Sequence, residues 1–137
     1  VKFEQGFSKK ISRFDIVSGG AVAFEVENFF SSAECDFLVQ KSQELGYKSI
    51  EWEYHKDYRD CTRVLTESPT LADCISSRLN QVLKINDLDG AKPFGIDCQG
   101  VWIPRNVNPC IRFSQYEAGG HFNKHRDGGY VVTDDYR

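Results

Sequence analysis

Two side chains near the C-terminal end of the sequence have the types and the spacing of metal ligands. His125 and Asp127 are separated by one residue, and side chains two positions apart on a β-strand point to the same face. An imidazole and a carboxylate placed in this way supply two of the three ligands of the facial triad that holds non-haem Fe(II) and leaves coordination positions open. The tripeptide alone has a simpler interpretation, which is a strand-end histidine and a turn-initiating aspartate before Gly128 and Gly129.

The residues before this pair favour the metal interpretation. Tyr116 lies nine residues before His125, at the end of the preceding predicted strand. Gly119 and Gly120 allow the chain to reverse between that strand and the next. Phe122 falls on the outward face of the second strand, where we expect it to pack under the helices.

A longer pattern around the pair resembles the signature of prolyl 4-hydroxylase-like Fe(II)/2-oxoglutarate dioxygenases. That signature reads N-P-x-x-R-[FY]-x-x-Y-x-x-G-x-x-F-x-x-H-x-D. The sequence matches it at Asn108, Pro109, Arg112, Phe113, Tyr116, Gly119, Phe122, His125 and Asp127. The resemblance covers about residues 22–134 and is dense over 108–128.

The resemblance implies roles for individual residues. His125 and Asp127 would ligate Fe(II). Tyr116 would donate a hydrogen bond to a carboxylate of the 2-oxoglutarate cosubstrate, and the alternative is a core tyrosine with a satisfied hydroxyl. Arg112, on the same strand face as Tyr116, is a candidate for binding substrate or cosubstrate, with a structural ion pair as the alternative.

The implied activity is hydroxylation of a substrate C–H bond, with succinate and CO2 as coproducts of 2-oxoglutarate. Ascorbate is the candidate reductant of the iron. The resemblance implies a protein or peptide substrate, with a peptidyl proline as the first choice. The acidic balance of the chain makes a nucleic acid a less favoured substrate.

The sequence departs from the family pattern after Asp127. The family has a second metal-binding histidine and a lysine or arginine for the distal carboxylate of 2-oxoglutarate, both downstream, and the ten residues after Asp127 contain no histidine. His55 precedes the motif in a predicted loop. His121, four strand residues from His125, would lie about 13 Å away, too far to share one metal. We expect the rest of the catalytic domain, with the third ligand, to lie C-terminal to Arg137, in the same polypeptide or in a second chain.

Two helices are predicted before the motif. A capping box at Ser31 and Glu34 begins the first helix, and Gly46 ends it. Its predicted buried stripe contains Cys35, Leu38, Val39, Ser42 and Leu45. The second helix begins at Ser68 and Pro69, because proline at the first helical position sacrifices no hydrogen bond. Its predicted buried face contains Leu71, Ile75, Leu79, Val82 and Leu83.

Helices followed by a run of strands indicate an α+β fold. The segments with strand character are 21–26, 62–65, 101–103, 111–116, 121–127 and 130–133. Together with the resemblance, this order predicts a double-stranded β-helix (jelly roll) buttressed by N-terminal helices. A jelly roll needs about eight strands, so residues 1–137 are expected to form an incomplete, N-terminal portion of a single catalytic domain.

Composition excludes several other classes of protein. The chain has 137 residues, 40% apolar and 27% charged, which is typical of one globular domain. No apolar run reaches the roughly 18–20 residues that span a bilayer, so a transmembrane protein is excluded. The net charge of -3 provides no general basic footprint for nucleic acid. Five scattered cysteines without a C-x-x-C indicate free thiols in a reducing compartment, so an intracellular location, cytoplasm or nucleus, is expected.

Two other functions stay open at the level of sequence. One is a non-catalytic jelly-roll module that binds a peptide or assembles with a partner and lacks a complete metal site. The other is a small zinc-binding domain, which requires both His121 and His125 as ligands. A downstream β-rich segment with a histidine and then a lysine or arginine would favour the enzyme.

Overall fold

The computed structural model describes residues 9–16, 22–87 and 105–128, which form a mixed α+β structure. The elements in chain order are β1 (Ser12–Asp15), β2 (Phe24–Glu27), α1 (Ser32–Leu45), β3 (Lys48–Ser49), β4 (Thr62–Glu67), α2 (Pro69–Leu79) and β5 (Cys110–Gln115). The strands form two antiparallel sheets, β1-β2 and β3-β4-β5. The predicted strands at 101–103 and 130–133 lie outside the described residues. No helix in the described part of the chain has the length and apolarity needed to cross a membrane.

Helix α1 begins and ends where its capping residues predict. The Ser31 hydroxyl accepts a hydrogen bond from the Glu34 N–H, the Glu34 carboxylate accepts one from the Ser31 N–H, and Gly46 ends the helix at φ 80°. The predicted apolar stripe is wrong in part, since Val39 and Leu45 are each 55% exposed. Ser42 is buried as predicted, and the other buried residue of the helix is Glu34, which the predicted stripe did not contain. Polar groups tolerate burial when they are hydrogen-bonded, and both of these are.

Helix α2 also begins as predicted, with Pro69 in its first turn and the Ser68 hydroxyl accepting from the Leu71 N–H. Leu71 is 5% exposed and belongs to the buried core. The helix ends earlier than predicted, because Val82 and Leu83 lie beyond it in the turns that follow. Their N–H groups donate to the Leu79 carbonyl at 3.0 Å each, which closes the helix end.

Strands β4 and β5 were both predicted, and their register gives the three-stranded sheet two different faces. Val64 pairs with Phe113 on the more buried face, and Val64 is 5% exposed. On the opposite face, Arg63 pairs with Ser114 and Leu65 pairs with Arg112. Leu65 is 52% exposed, so we call this side, formed by Arg63, Leu65, Arg112 and Ser114, the open face. Strand β1 was not predicted.

A buried ion pair joins the start of α1 to the end of α2. The Arg78 guanidinium donates to the Glu34 carboxylate twice, at 2.6 and 2.9 Å, and to the Phe29 carbonyl at 2.6 Å. The two side chains are 6% and 3% exposed. The same Glu34 carboxylate completes the capping box of α1, so one group fixes both the helix end and the helix pair.

Acid should weaken the fold through this ion pair. The hydrogen bonds from Arg78 lower the pKa of Glu34 to about 2, against the opposing effect of burial. Because this folded-state pKa lies below the unfolded value, the stabilisation is complete above about pH 5 and is lost as the pH falls towards 2. We expect the free energy of unfolding to fall by about 3 kcal/mol over that range from Glu34 alone.

Urea unfolding at pH 5, 4, 3 and 2 measures this loss. Glu34→Gln should reduce the slope of stability against pH, whereas the exposed control Glu51→Gln should leave it close to that of the wild type. An unchanged slope in Glu34→Gln would contradict the prediction. The Asp87 carboxyl, whose pKa is lowered to about 2 by hydrogen bonding to Arg13, contributes in the same direction and remains in both variants.

Candidate functional site

The segment that carries the predicted metal ligands is held by a short antiparallel contact with residues 58–60. Asp60 and His121 exchange backbone hydrogen bonds at 2.8 and 3.2 Å, and the Asn123 N–H donates to the Tyr58 carbonyl at 2.9 Å. The predicted regular strand over 121–127 is therefore wrong. One ladder bridge forms, between Arg59 and Phe122, and residues 125–128 have no regular secondary structure.

Two glycines shape the turn that leads from β5 into this segment. Gly119 has φ 87°, in the left-handed region that glycine adopts most easily. A Cβ at Gly120 would lie 2.9 Å from the Asp60 carbonyl oxygen and 3.0 Å from that of Glu117. The turn can therefore approach Asp60 closely only because position 120 carries no side chain.

His125 and Asp127 lie together although they are not on a strand. His125 Nε2 is 3.3 Å from Asp127 Oδ1. His125 Nδ1 is 2.8 Å from the Asn123 carbonyl oxygen. A carbonyl oxygen only accepts, so Nδ1 carries the hydrogen and donates it. In the neutral ring the lone pair then lies on Nε2, the atom that faces the Asp127 carboxylate.

This geometry fits two adjacent ligands of one metal ion. Metal–nitrogen and metal–oxygen bonds of about 2.1 Å at a right angle separate the two ligand atoms by about 3 Å. A hydrogen bond from the second ring nitrogen to a backbone carbonyl is also the usual way in which a ligating histidine is oriented. Within the described residues, no group of three or more His, Cys, Asp or Glu side chains is placed to hold a metal. The described residues therefore offer at most two adjacent ligand atoms for one metal ion, and the Asp127 side chain is 97% exposed.

Phe122 is sandwiched between the candidate ligand and a guanidinium. Its ring stacks on the His125 ring, with centroids 3.6 Å apart and an interplanar angle of 15°. The Arg59 Cζ lies 4.1 Å from the Phe122 centroid, and with one face covered by His125 the guanidinium takes the other. Tyr54 and Tyr58 contact the edge of the same ring. The expectation that Phe122 faces outward under the helices is therefore wrong, and its ring instead restrains the orientation of His125.

The predicted cosubstrate residues lie on or beside the open face. Tyr116 directly follows β5 and is 43% exposed, so the alternative of a buried core tyrosine is not what the structure has. Arg112 is exposed and forms no ion pair within the described residues. The hydrogen bond from Arg63 is the main cause that lowers the pKa of Glu53, and the positive charge of Arg112 acts in the same direction. Arg63 forms the ion pair with the Glu53 carboxylate.

The other two histidines are engaged elsewhere. His121 Nε2 lies 3.1 Å from the Asp57 carbonyl oxygen, and Nδ1 lies 3.4 Å from that of Gly119. His55 and Asp57 repeat the H-x-D spacing, but their side chains are 80% and 92% exposed. The Asp57 N–H donates to His55 Nδ1 at 3.3 Å, so this ring is oriented opposite to that of His125.

Arg59 was not singled out in the sequence, yet it connects the parts of this site. Its Nη2 donates to the Ser114 hydroxyl at 3.0 Å, and its Cζ lies over the Phe122 ring. The only feature of the local sequence that could have drawn attention to Arg59 is its place in an aromatic-rich stretch, between Tyr58 and the next strand. That signal does not specify a contact with a residue 55 positions away.

Comparison of the chain with protein-family models, with curated proteins and with solved structures finds no match.

Proposed function

We propose that this chain forms part of an Fe(II)- and 2-oxoglutarate-dependent dioxygenase that hydroxylates a C–H bond of a peptidyl residue such as proline. The observation that carries the proposal is the His125–Asp127 pair, 3.3 Å apart, with the far ring nitrogen of His125 anchored on a backbone carbonyl. The resemblance of residues 108–127 to the prolyl 4-hydroxylase-like signature provides independent support.

The residues of this chain have separate tasks in that activity. His125 Nε2 and Asp127 hold the metal, while the Asn123 carbonyl and the Phe122 ring fix the imidazole. The Tyr116 hydroxyl donates to a carboxylate of 2-oxoglutarate. When bound, ferrous iron supplies the activation of dioxygen, and ascorbate keeps it reduced.

The proposed architecture is a jelly roll to which further sequence contributes. Within the described residues, β5 is the last strand of its sheet and pairs with β4 alone. The open face next to it exposes Leu65. A second sheet placed over that face would cover Leu65 and bring the third histidine and the distal cation towards His125.

The first test is metal- and cosubstrate-dependent turnover by the full-length polypeptide. We expect succinate release from 2-oxoglutarate with Fe(II), none after chelation, and recovery when Fe(II) is restored, because the metal alone activates dioxygen. Succinate is measured by mass spectrometry with and without a proline-containing peptide. Equal succinate release in the presence of excess chelator would contradict the proposal.

A second candidate is the non-catalytic binding module, which the 97% exposure of the Asp127 side chain favours. In that case the contact between His125 and Asp127 is an ordinary polar contact with no metal between the two side chains. Equilibrium dialysis against Fe(II) or Mn(II) separates the two candidates. The enzyme retains one metal ion per polypeptide in a manner that depends on His125, and the binding module retains none.

A further inference from the structure

Asp127 is followed by Gly128, and an Asp-Gly peptide unit can undergo a covalent rearrangement. The glycine nitrogen attacks the aspartate Cγ, because no side chain on the glycine shields that nitrogen. A nitrogen–carbon bond forms and a carbon–oxygen bond of the carboxyl group breaks. The departing oxygen leaves as water with the amide hydrogen and a proton from solvent, and a cyclic succinimide remains. When water then opens this ring at the α-carbonyl, the main chain passes through the former side chain as an isoaspartyl residue.

The carboxyl group of Asp127 is free to reach its own main chain. Its side chain is 97% exposed. Among the described residues it has one polar contact, with His125 Nε2 at 3.3 Å, which is longer than an ordinary hydrogen bond. This contact is too weak to hold the carboxyl group away from the Gly128 nitrogen.

The Gly128 nitrogen is also unrestrained. Residues 125–128 have no regular secondary structure, and no described residue accepts a hydrogen bond from the Gly128 N–H. A Cβ added at Gly128 would meet no atom within 4 Å, so the packing around this peptide unit is open. Ring closure must rotate the peptide unit, and main-chain hydrogen bonds in helices and sheets oppose such a rotation. Nothing of that kind opposes it here.

Asp57 is equally exposed but lacks the second condition. Its side chain is 92% exposed. The next residue is Tyr58, whose N–H donates to the His55 carbonyl at 2.9 Å. This nitrogen is therefore shielded by a side chain and held by a hydrogen bond, so Asp57 is an internal control for exposure alone.

We propose that Asp127–Gly128 is a site of succinimide and isoaspartate formation in the folded protein. In the isoaspartyl form the free carboxylate is attached directly to Cα, and the main chain is longer by one carbon. The carboxylate then no longer lies where it meets His125 Nε2. The loss of a metal site by this route rests on the proposed function, whereas isoaspartate formation itself does not.

The direct test incubates the wild-type full-length protein at neutral pH with a chelator and follows it by peptide mapping. Electron-based fragmentation distinguishes an isoaspartyl residue from an aspartyl residue. We expect isoaspartate to accumulate over weeks at position 127, while position 57 stays aspartyl. The other Asp-Gly pair of the sequence, at 89–90, lies outside the described residues and is mapped separately.

Gly128→Ala tests whether the reaction proceeds through the nitrogen of residue 128. The added methyl group has open space, and the backbone at 128 is outside the left-handed region, so the local structure should stay unchanged. The methyl group hinders attack by the nitrogen, and we expect isoaspartate at position 127 to form several-fold more slowly. The proposal is overturned if wild-type position 127 stays aspartyl, if position 57 reacts as fast, or if Gly128→Ala reacts at the wild-type rate.

Mn(II) separates the failure of this inference from the failure of the proposed function. If Asp127 is a metal ligand, Mn(II) should slow isoaspartate formation in the wild type but not in His125→Ala, because binding favours the aspartyl form. If isoaspartate forms at the same rate with and without Mn(II), the modification site stands and the metal site fails. If the chelated protein stays aspartyl at 127 and yet binds Mn(II) through His125, the modification site fails alone.

Discussion

Replacing His125 or Asp127 with alanine is expected to abolish Fe(II)-dependent succinate release from 2-oxoglutarate. Each substitution would remove one of the two iron ligands that the proposed function assigns to this chain. Loss of even an outer partner of a metal ligand costs about 10–100-fold in affinity or activity, so loss of a ligand itself should exceed about 100-fold. Metal content after dialysis should fall together with turnover.

The chain contains a control with the same spacing. His55 and Asp57 also have one residue between them and lie 3.5 Å apart, but the His55 side chain is 80% exposed whereas that of His125 is 27% exposed. His55→Ala and Asp57→Ala are expected to keep the turnover and metal content of the wild type. Circular dichroism of all four variants serves as the control for folding. Undiminished turnover in His125→Ala would refute the assignment of this pair.

Arg78→Ala is expected to lower the free energy of unfolding by about 3–5 kcal/mol at neutral pH. The substitution leaves the Glu34 carboxylate buried without its cation, and it also removes the donor to the Phe29 carbonyl. The penalty of an uncompensated buried charge is larger than the net contribution of the pair itself. Urea unfolding followed by fluorescence measures the difference.

Matched variants separate charge burial from other effects of truncation. Lys41→Ala breaks an ion pair with Glu44 in which the two side chains are 51% and 46% exposed. This substitution should change the free energy of unfolding by no more than about 0.5 kcal/mol. The double variant Glu34→Gln with Arg78→Met, which removes both charges, should recover part of the loss. A loss below about 1 kcal/mol in Arg78→Ala would mean that Glu34 reaches solvent in the folded protein.

The starts of both helices and the end of α1 were predictable because their signals are local. Ser31 and Glu34 cap α1 from three residues apart, and Pro69 begins α2. The buried side of α1 was not predictable, because Glu34 is buried by a partner 44 residues away. An apolar pattern alone then misplaces the core, as the exposed Val39 shows.

The proximity of His125 and Asp127 was predictable from the sequence, but the backbone structure that brings them together was not. The spacing of His125 and Asp127 correctly indicated that the two side chains lie together, but a loop anchored on Asn123 brings them there instead of a strand. The stack on Phe122 and the involvement of Arg59 depend on the contact between residues 58–60 and 121–123. Contacts between distant segments leave no periodic signal in the sequence.

The adjacent glycines before the metal pair differ in how far they tolerate mutation. Gly119 has open space around it, and its restriction is the left-handed backbone, which asparagine also adopts. Gly120 faces backbone oxygens that no rotamer change can move away. Position 119 can therefore accept asparagine. Even alanine at position 120 would force the turn away from Asp60, and the segment that leads to His125 would move with the turn.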